Sequence, residues 1–157
     1  MSTETVTPTN SIDAVFEEFA KEAAQLPGAR RFHDEDLEMV YMIGYNLYMQ
    51  TKYTEALRYF ALLTTYRPLE TRYLMGLGAT QQMLKNYEGA IQAYALATMV
   101  KPEESEPTLH VAECLVGMGQ FGEARETLRM LIHVCNLSGK VELRGRAEGL
   151  LTLIEKH

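Results

Sequence analysis

The sequence repeats itself every 34 residues, and that period restricts the fold more than any other feature of the chain. Gly44, Gly78 and Ala112 stand one period apart, as do Tyr53, Tyr87 and Phe121. The same spacing relates Ala56, Ala90 and Ala124, and again Phe60, Tyr94 and Leu128. Pro68 and Pro102 form a further column, in which the third copy carries Asn136. Each column has a task in a pair of antiparallel helices. The small residues let two helices approach closely, and the aromatic at 53, 87 and 121 fills the wedge at the turn. The residue at 60, 94 and 128 packs between helices, and the prolines end each second helix.

A period of 34 with these choices resembles the tetratricopeptide repeat, whose helical pairs stack into a solenoid. The expected fold is all-α, with repeats at 37–70, 71–104 and 105–138 in a right-handed superhelix. The flanks read as helices too. Residues 1–10 are polar and threonine-rich and are expected to form a disordered tail. From Ser11 the residues Ile12, Val15, Phe16, Phe19, Ala20, Ala23 and Leu26 share one helical stripe, which Pro27-Gly28 ends. This helix, 11–26, either caps the solenoid or carries Ile12, Phe16 and Phe19 into a dimer interface, and the two phenylalanines favour the dimer. Leu143, Ala147, Leu150, Leu151 and Ile154 mark one face of a last helix within 139–156, which shields the third repeat. Residues 11–157 are thus expected to form a single helical-repeat domain.

Composition removes several classes of function. With 21 Asp+Glu against 15 Lys+Arg, the chain has a formal charge of −6, the wrong sign for a broad nucleic-acid surface. At 46% hydrophobic it can build a core, yet no apolar run approaches the ~18 residues of a membrane span. The first residues lack the basic start and apolar middle of a secretory signal, and two cysteines are no disulfide framework, so a cytoplasmic protein is expected.

Three patterns raise the question of chemistry. Gly117–Gly122 spells G-x-G-x-x-G, but a dinucleotide site needs a strand before it, and here the string falls on the turn inside the third repeat. His110 and Cys114 share a helical face, with His133 and Cys135 in the next helix. Zinc would require four well-placed ligands, and Cys114 and Cys135 read more simply as reduced packing residues. Asp34-Glu35-Asp36 suits the first turn of a helix. No enzyme, metal or cofactor is expected.

Function then falls to the concave face, lined by the first helix of each pair. Spacings of i, i+4, i+7 and i+8 place Tyr41, Tyr45, Tyr48 and Met49 there in repeat one. The same rule gives Met75, Ala79, Gln82 and Met83 in repeat two, and Leu109, Glu113 and Val116 in repeat three. Ile43, Gly44, Leu47, Leu77 and Gly78 are assigned to packing, which leaves the three tyrosines over. They offer an apolar, hydroxyl-tipped wall to an extended segment of another protein. Modules that grip a C-terminal carboxylate need Lys, Arg or Asn here, where Tyr41 and Tyr45 stand instead. Nine methionines in the chain suit more than one client.

The stretch Leu37–Ala56, with Tyr73–Gly78, Tyr87–Tyr94 and Ala112-Glu113-Cys114, resembles the SycD/LcrH/IpgC class of type III secretion chaperones. The likeness departs at Arg67-Pro68-Leu69-Glu70, where relatives commonly carry acidic residues. It implies a chaperone of the bacterial cytoplasm that holds an extended N-terminal segment of the hydrophobic, pore-forming translocators in its groove. Such a chaperone keeps them soluble and secretion-competent without nucleotide and without inserting into a membrane. A homodimer fits the same resemblance. A general repeat scaffold for protein assembly is the alternative.

Overall fold

The computed structural model describes residues 32–156. The chain divides into two units, Met1–Glu38 and Met39–His157. Of the first, the described part is Phe32–Glu38, where Asp34, Glu35 and Asp36 open a helix and the Asp36 carboxylate accepts the His33 N–H at 2.9 Å. The expected tail 1–10 and the helix 11–26 with Ile12, Phe16 and Phe19 lie outside the described residues.

Seven helices follow one another, with no strand among the described residues. They are α1 Asp34–Met49, α2 Tyr53–Tyr66, α3 Thr71–Met83, α4 Tyr87–Val100, α5 Glu106–Gly117, α6 Phe121–Ser138 and α7 Val141–Ile154. From α2 onward each helix packs chiefly on the next, the neighbour-only pattern of a repeat stack. Pro68 and Pro102 lie two residues past the ends of α2 and α4, each of 14 residues. Asn136 imposes no such stop. Accordingly α6 runs on for 18 residues to Ser138, closed by Gly139 in the left-handed region at φ 70°. The departure at 67–70 also has a local role, because the Glu70 side chain caps α3 by accepting the Arg72 N–H.

The turn inside each pair is the same turn made three times. Backbone N–H groups of Lys52, Asn86 and Gln120 reach back to the carbonyls of Leu47, Gln81 and Leu115, each at 2.9 Å. This is the six-to-one bond of a Schellman close, which requires the residue before the donor to be left-handed. That residue is Thr51 (φ 61°), Lys85 (φ 61°) or Gly119 (φ 75°), again 34 apart. Only Gly119 adopts this φ without a Cβ penalty. The G-x-G-x-x-G string is therefore partly turn chemistry. It is also partly packing, since a Cβ on Gly117 would meet the Tyr87 ring at 2.5 Å.

Helix approach follows the small columns. A Cβ on Gly78 would lie 2.7 Å from the Tyr94 ring, and one on Gly44 would lie 3.1 Å from Tyr59 Cβ and 3.6 Å from the Phe60 ring. In the third pair the partner is Leu128 rather than an aromatic, and Ala112 fits, both fully buried. The third pair and α7 share one core of Leu109, Leu115, Leu128, Leu131, Leu143, Ala147 and Ile154. Lys140 Nζ donates to Ser105 Oγ at 3.0 Å and Arg146 pairs with Glu106, tying the segment around α7 to the start of α5.

The turns yield a paired expectation. Gly119→Ala loses about 1–2 kcal/mol of unfolding free energy, and Lys85→Gly gains up to about 1 kcal/mol. Urea denaturation of both variants checks this. Equal midpoints for Gly119→Ala and the wild type contradict it.

Candidate functional site

Two helical pairs meet around an open cleft of about 340 Å³. Its wall on α1 is Tyr41, Tyr45 and Tyr48, its wall on α3 is Arg72, Met75, Gly76 and Ala79, and Phe60 of α2 contributes its ring. Tyr45 is 44% exposed, whereas Tyr41 and Tyr48 are half-buried. Gly76 is required here, because the Phe60 ring occupies the space a Cβ would take. The rings brace one another. Tyr41 meets Phe60 edge-on at 6.0 Å between centroids, lies 5.8 Å from the buried Tyr73, and stacks loosely on Tyr45 at 6.3 Å. Tyr48 meets Tyr53 edge-on at 5.3 Å, and burial, with Tyr53 beside it, raises its phenol above the ordinary value. The cleft thus offers preformed aromatic faces with hydroxyl tips, suited to apolar side chains on a chain that still needs hydrogen bonds.

Farther along α3 the chemistry changes. The Tyr94 hydroxyl donates to Gln82 Oε1 at 2.9 Å, and Gln82 Nε2 donates to Glu113 Oε2 at 3.2 Å. His110 Nδ1 lies 2.9 Å from the same carboxylate oxygen, and its ring stacks on Tyr94 at 5.1 Å. Burial alone would raise the Glu113 carboxyl. The hydrogen bonds from His110 and Gln82, with the nearby His110 and Arg146 charges, outweigh that and hold it below its usual 4.5. Burial, and then the Glu113 charge, pushes the Cys114 thiol up to about 11. Cys114 and Cys135 are free and buried, which is the setting of inert packing thiols.

The positions read from the sequence separate into groups. Tyr41, Tyr45, Tyr48, Met75 and Ala79 come together at the cleft, and Gln82 and Glu113 join in the polar network. Met49 and Met83 are exposed beyond the cleft wall. Leu109 does not line a groove. At 1% exposure it belongs to the core it shares with Leu143 and Ala147, because α7 packs over the third pair, and Val116 packs against the same cluster. Ile43, assigned to packing, is 42% exposed, since one residue before Gly44 is about 100° around the helix. Arg72 and Gly76 were missed, although Arg72 shares the stripe of Met75, Ala79 and Met83 at helical spacing.

The depressed Glu113 carboxyl has a definite pH signature. A folded-state value below the unfolded one contributes stability that is fully present above about pH 4.5 and disappears as pH falls through the folded value. Wild type should therefore exceed Glu113→Gln in urea midpoint by a constant margin near neutrality, and that margin should narrow under pH 4.5. A margin independent of pH down to acid unfolding would contradict this assignment.

Comparison with known proteins places these features. The family model for the tetratricopeptide repeat matches residues 37–68 and 72–103. Low calcium response locus protein H of Yersinia pestis is 30% identical over 122 residues, spanning 78% of this chain and 73% of that protein. The Yersinia enterocolitica chaperone SycD, solved with a peptide of the translocator YopD, aligns with a TM-score of 0.71 at 28% identity, covering 80% of this chain and 96% of that one. PcrH, a Pseudomonas aeruginosa protein solved with the chaperone binding region of PopD, gives 0.72 at 27%, over 80% and 96% of the two chains. With 30% identity along 73% of a named relative, on a fold shared with SycD and PcrH, the chain belongs to the tetratricopeptide-repeat translocator chaperones of type III secretion.

Proposed function

We propose that the protein is a cytoplasmic, non-enzymatic chaperone that holds an extended segment of a hydrophobic type III translocator in the groove containing the tyrosine cleft. The observation that carries this reading is the open cleft bounded by Tyr41, Tyr45 and Tyr48, in a chain whose structural relatives were solved with translocator segments. Each apolar anchor buried there contributes about 1.5–3 kcal/mol before the cost of ordering the segment. Few anchors fit a cleft of about 340 Å³, so net affinity is moderate, as suits a client that is later released. Covering those anchors removes the apolar surface through which an unpartnered translocator aggregates or inserts early into membrane.

The test is co-expression with a translocator from the same secretion system, followed by affinity recovery of the complex. Tyr45→Ala and Tyr48→Ala should each lower client recovery about tenfold, the effect of removing one interface anchor, with the helical circular dichroism unchanged. Undiminished recovery by both variants overturns the groove assignment.

The amphipathic segment containing Ile12, Phe16 and Phe19 supports a second part of the proposal, a homodimer formed through that face. Sedimentation should show a dimer for the wild type and half that mass for Phe16→Glu. The same mass for both, or a monomeric wild type, removes this interface.

A further inference from the structure

The carboxylate of Glu113 is only half used by the network that holds it. Gln82 Nε2 donates to its Oε2 at 3.2 Å, and His110 Nδ1 lies 2.9 Å from the same oxygen. Neither bond reaches Oε1, and Oε1 is not buried. Among the described residues, the buried side-chain polar atoms without a partner are Thr71 Oγ1, Gln81 Oε1 and Arg144 Nε. The Glu113 side chain keeps 33% of its surface exposed, so a ligand can reach that oxygen. The charge around it does not cancel. Arg146 pairs with Glu106, and the His110 ring stands between Glu106 at 3.7 Å and Glu113 at 2.9 Å. With the imidazole neutral, two carboxylates face one guanidinium, and one negative charge is left over.

The network continues the cleft. Gln82 stands three residues beyond Ala79, on the stripe of α3 that gives the cleft Met75 and Ala79. Glu113 is bonded to it from α5, the first helix of the next pair. Packed helices lie about 8–10 Å apart, a span of about three residues of extended chain. We infer that Glu113 is a specificity-determining residue that selects segments with a Lys or Arg about three residues from the apolar side chain in the cleft. This rests on reading the groove as a segment-binding site. Because Oε2 is taken, the carboxylate offers one oxygen rather than a bidentate face, and the point charge of Lys serves as well as Arg. The two bonds to Oε2 also fix the carboxylate, which lowers the ordering cost when a cation arrives. The charge of the whole chain, −6, attracts basic peptides too, but without regard to register. Register therefore separates the two effects.

The experiment uses the full chain at pH 8, which favours neutral imidazole, and fluorescein-labelled dodecapeptides with one central leucine in an otherwise uncharged sequence. Lys, Gln or Glu is placed in turn next to the leucine and at two, three and four residues from it, on either side. Fluorescence anisotropy at 50 mM NaCl should find one side on which Lys, about three residues away, binds about 3–10-fold tighter than Glu, with Gln between. Next to the leucine the difference should fall below about twofold, and at 500 mM NaCl it should close everywhere. Glu113→Gln should bring the three peptides within about twofold of one another. Glu126→Gln removes the same charge from an exposed position on α6 and should keep the full ranking. A Lys preference equal at every position, none at any, or one retained in Glu113→Gln overturns the inference and leaves the groove reading standing. Failure of all the peptides to bind, or binding indifferent to Tyr45→Ala, counts against the groove reading and removes the Glu113 inference with it.

Discussion

Everything in this fold depends on how closely two helices can approach at one column of each repeat. Where the second helix supplies a ring, Phe60 or Tyr94, the first supplies glycine, Gly44 or Gly78. Where it supplies Leu128, alanine suffices. At Gly78 the trade with the ring is steric, while at Gly44 the tight neighbour is Tyr59 Cβ, 3.1 Å from where a Cβ would lie. A methyl group at Gly78 would overlap the Tyr94 ring, and closely packed interiors do not absorb such overlap cheaply. The approach sets the angle at which one pair meets the next, and a stack in which each helix rests on its neighbours passes that angle along the chain.

The cleft is a by-product of the same constraint. Gly76 is not in a repeat column, yet it too makes room for Phe60, this time between one pair and the next. Because α3 places the small Gly76 and Ala79 among Arg72 and Met75 on the wall opposite the tyrosines of α1, the space between the helices is left partly unfilled. Bulky residues facing small ones across a fixed helix spacing leave a cavity. Mutual ring contacts keep its walls in place, which reduces the ordering cost that binding would otherwise incur.

The repeat was legible because its columns are steric requirements, and such requirements leave residue types at a fixed interval. The three tyrosines were legible for the complementary reason, as rings not needed for the helix contacts. Other features depended on contacts that periodicity does not encode. Leu109 occupies the same column as Tyr41 and Met75, but α7 packs over the third pair and encloses it, so equivalent register did not mean equivalent exposure. Arg72 was passed over because a charged residue in the first turn of a helix is ordinarily plain solvated surface, and nothing in the spacing shows that this exposed side chain also lies against the Tyr41 ring. The shared turn was invisible as well. Thr51 and Lys85 give no hint of a left-handed backbone, and Gly119 alone spells it.

Comparing the three copies within the chain separates architecture from chemistry. The packing columns read Gly, Gly, Ala and Phe, Tyr, Leu, a narrow range bounded by volume. The columns that spacing alone assigns to the concave face read Tyr, Met, Leu, then Tyr, Ala, Glu, then Tyr, Gln, Val, a wider range, of which Leu109 and Val116 are taken into the core of the third pair. The groove is consequently graded. An aromatic cleft edged by the cation of Arg72 gives way to a hydrogen-bonded network ending in the Glu113 carboxylate. A uniform apolar trough would accept any greasy segment in any register. A graded one penalises a segment whose charges fall opposite the wrong end, because an unmatched charge must give up water without gaining a partner. The same helical scaffold can therefore hold a hydrophobic client and still distinguish one stretch of it from another.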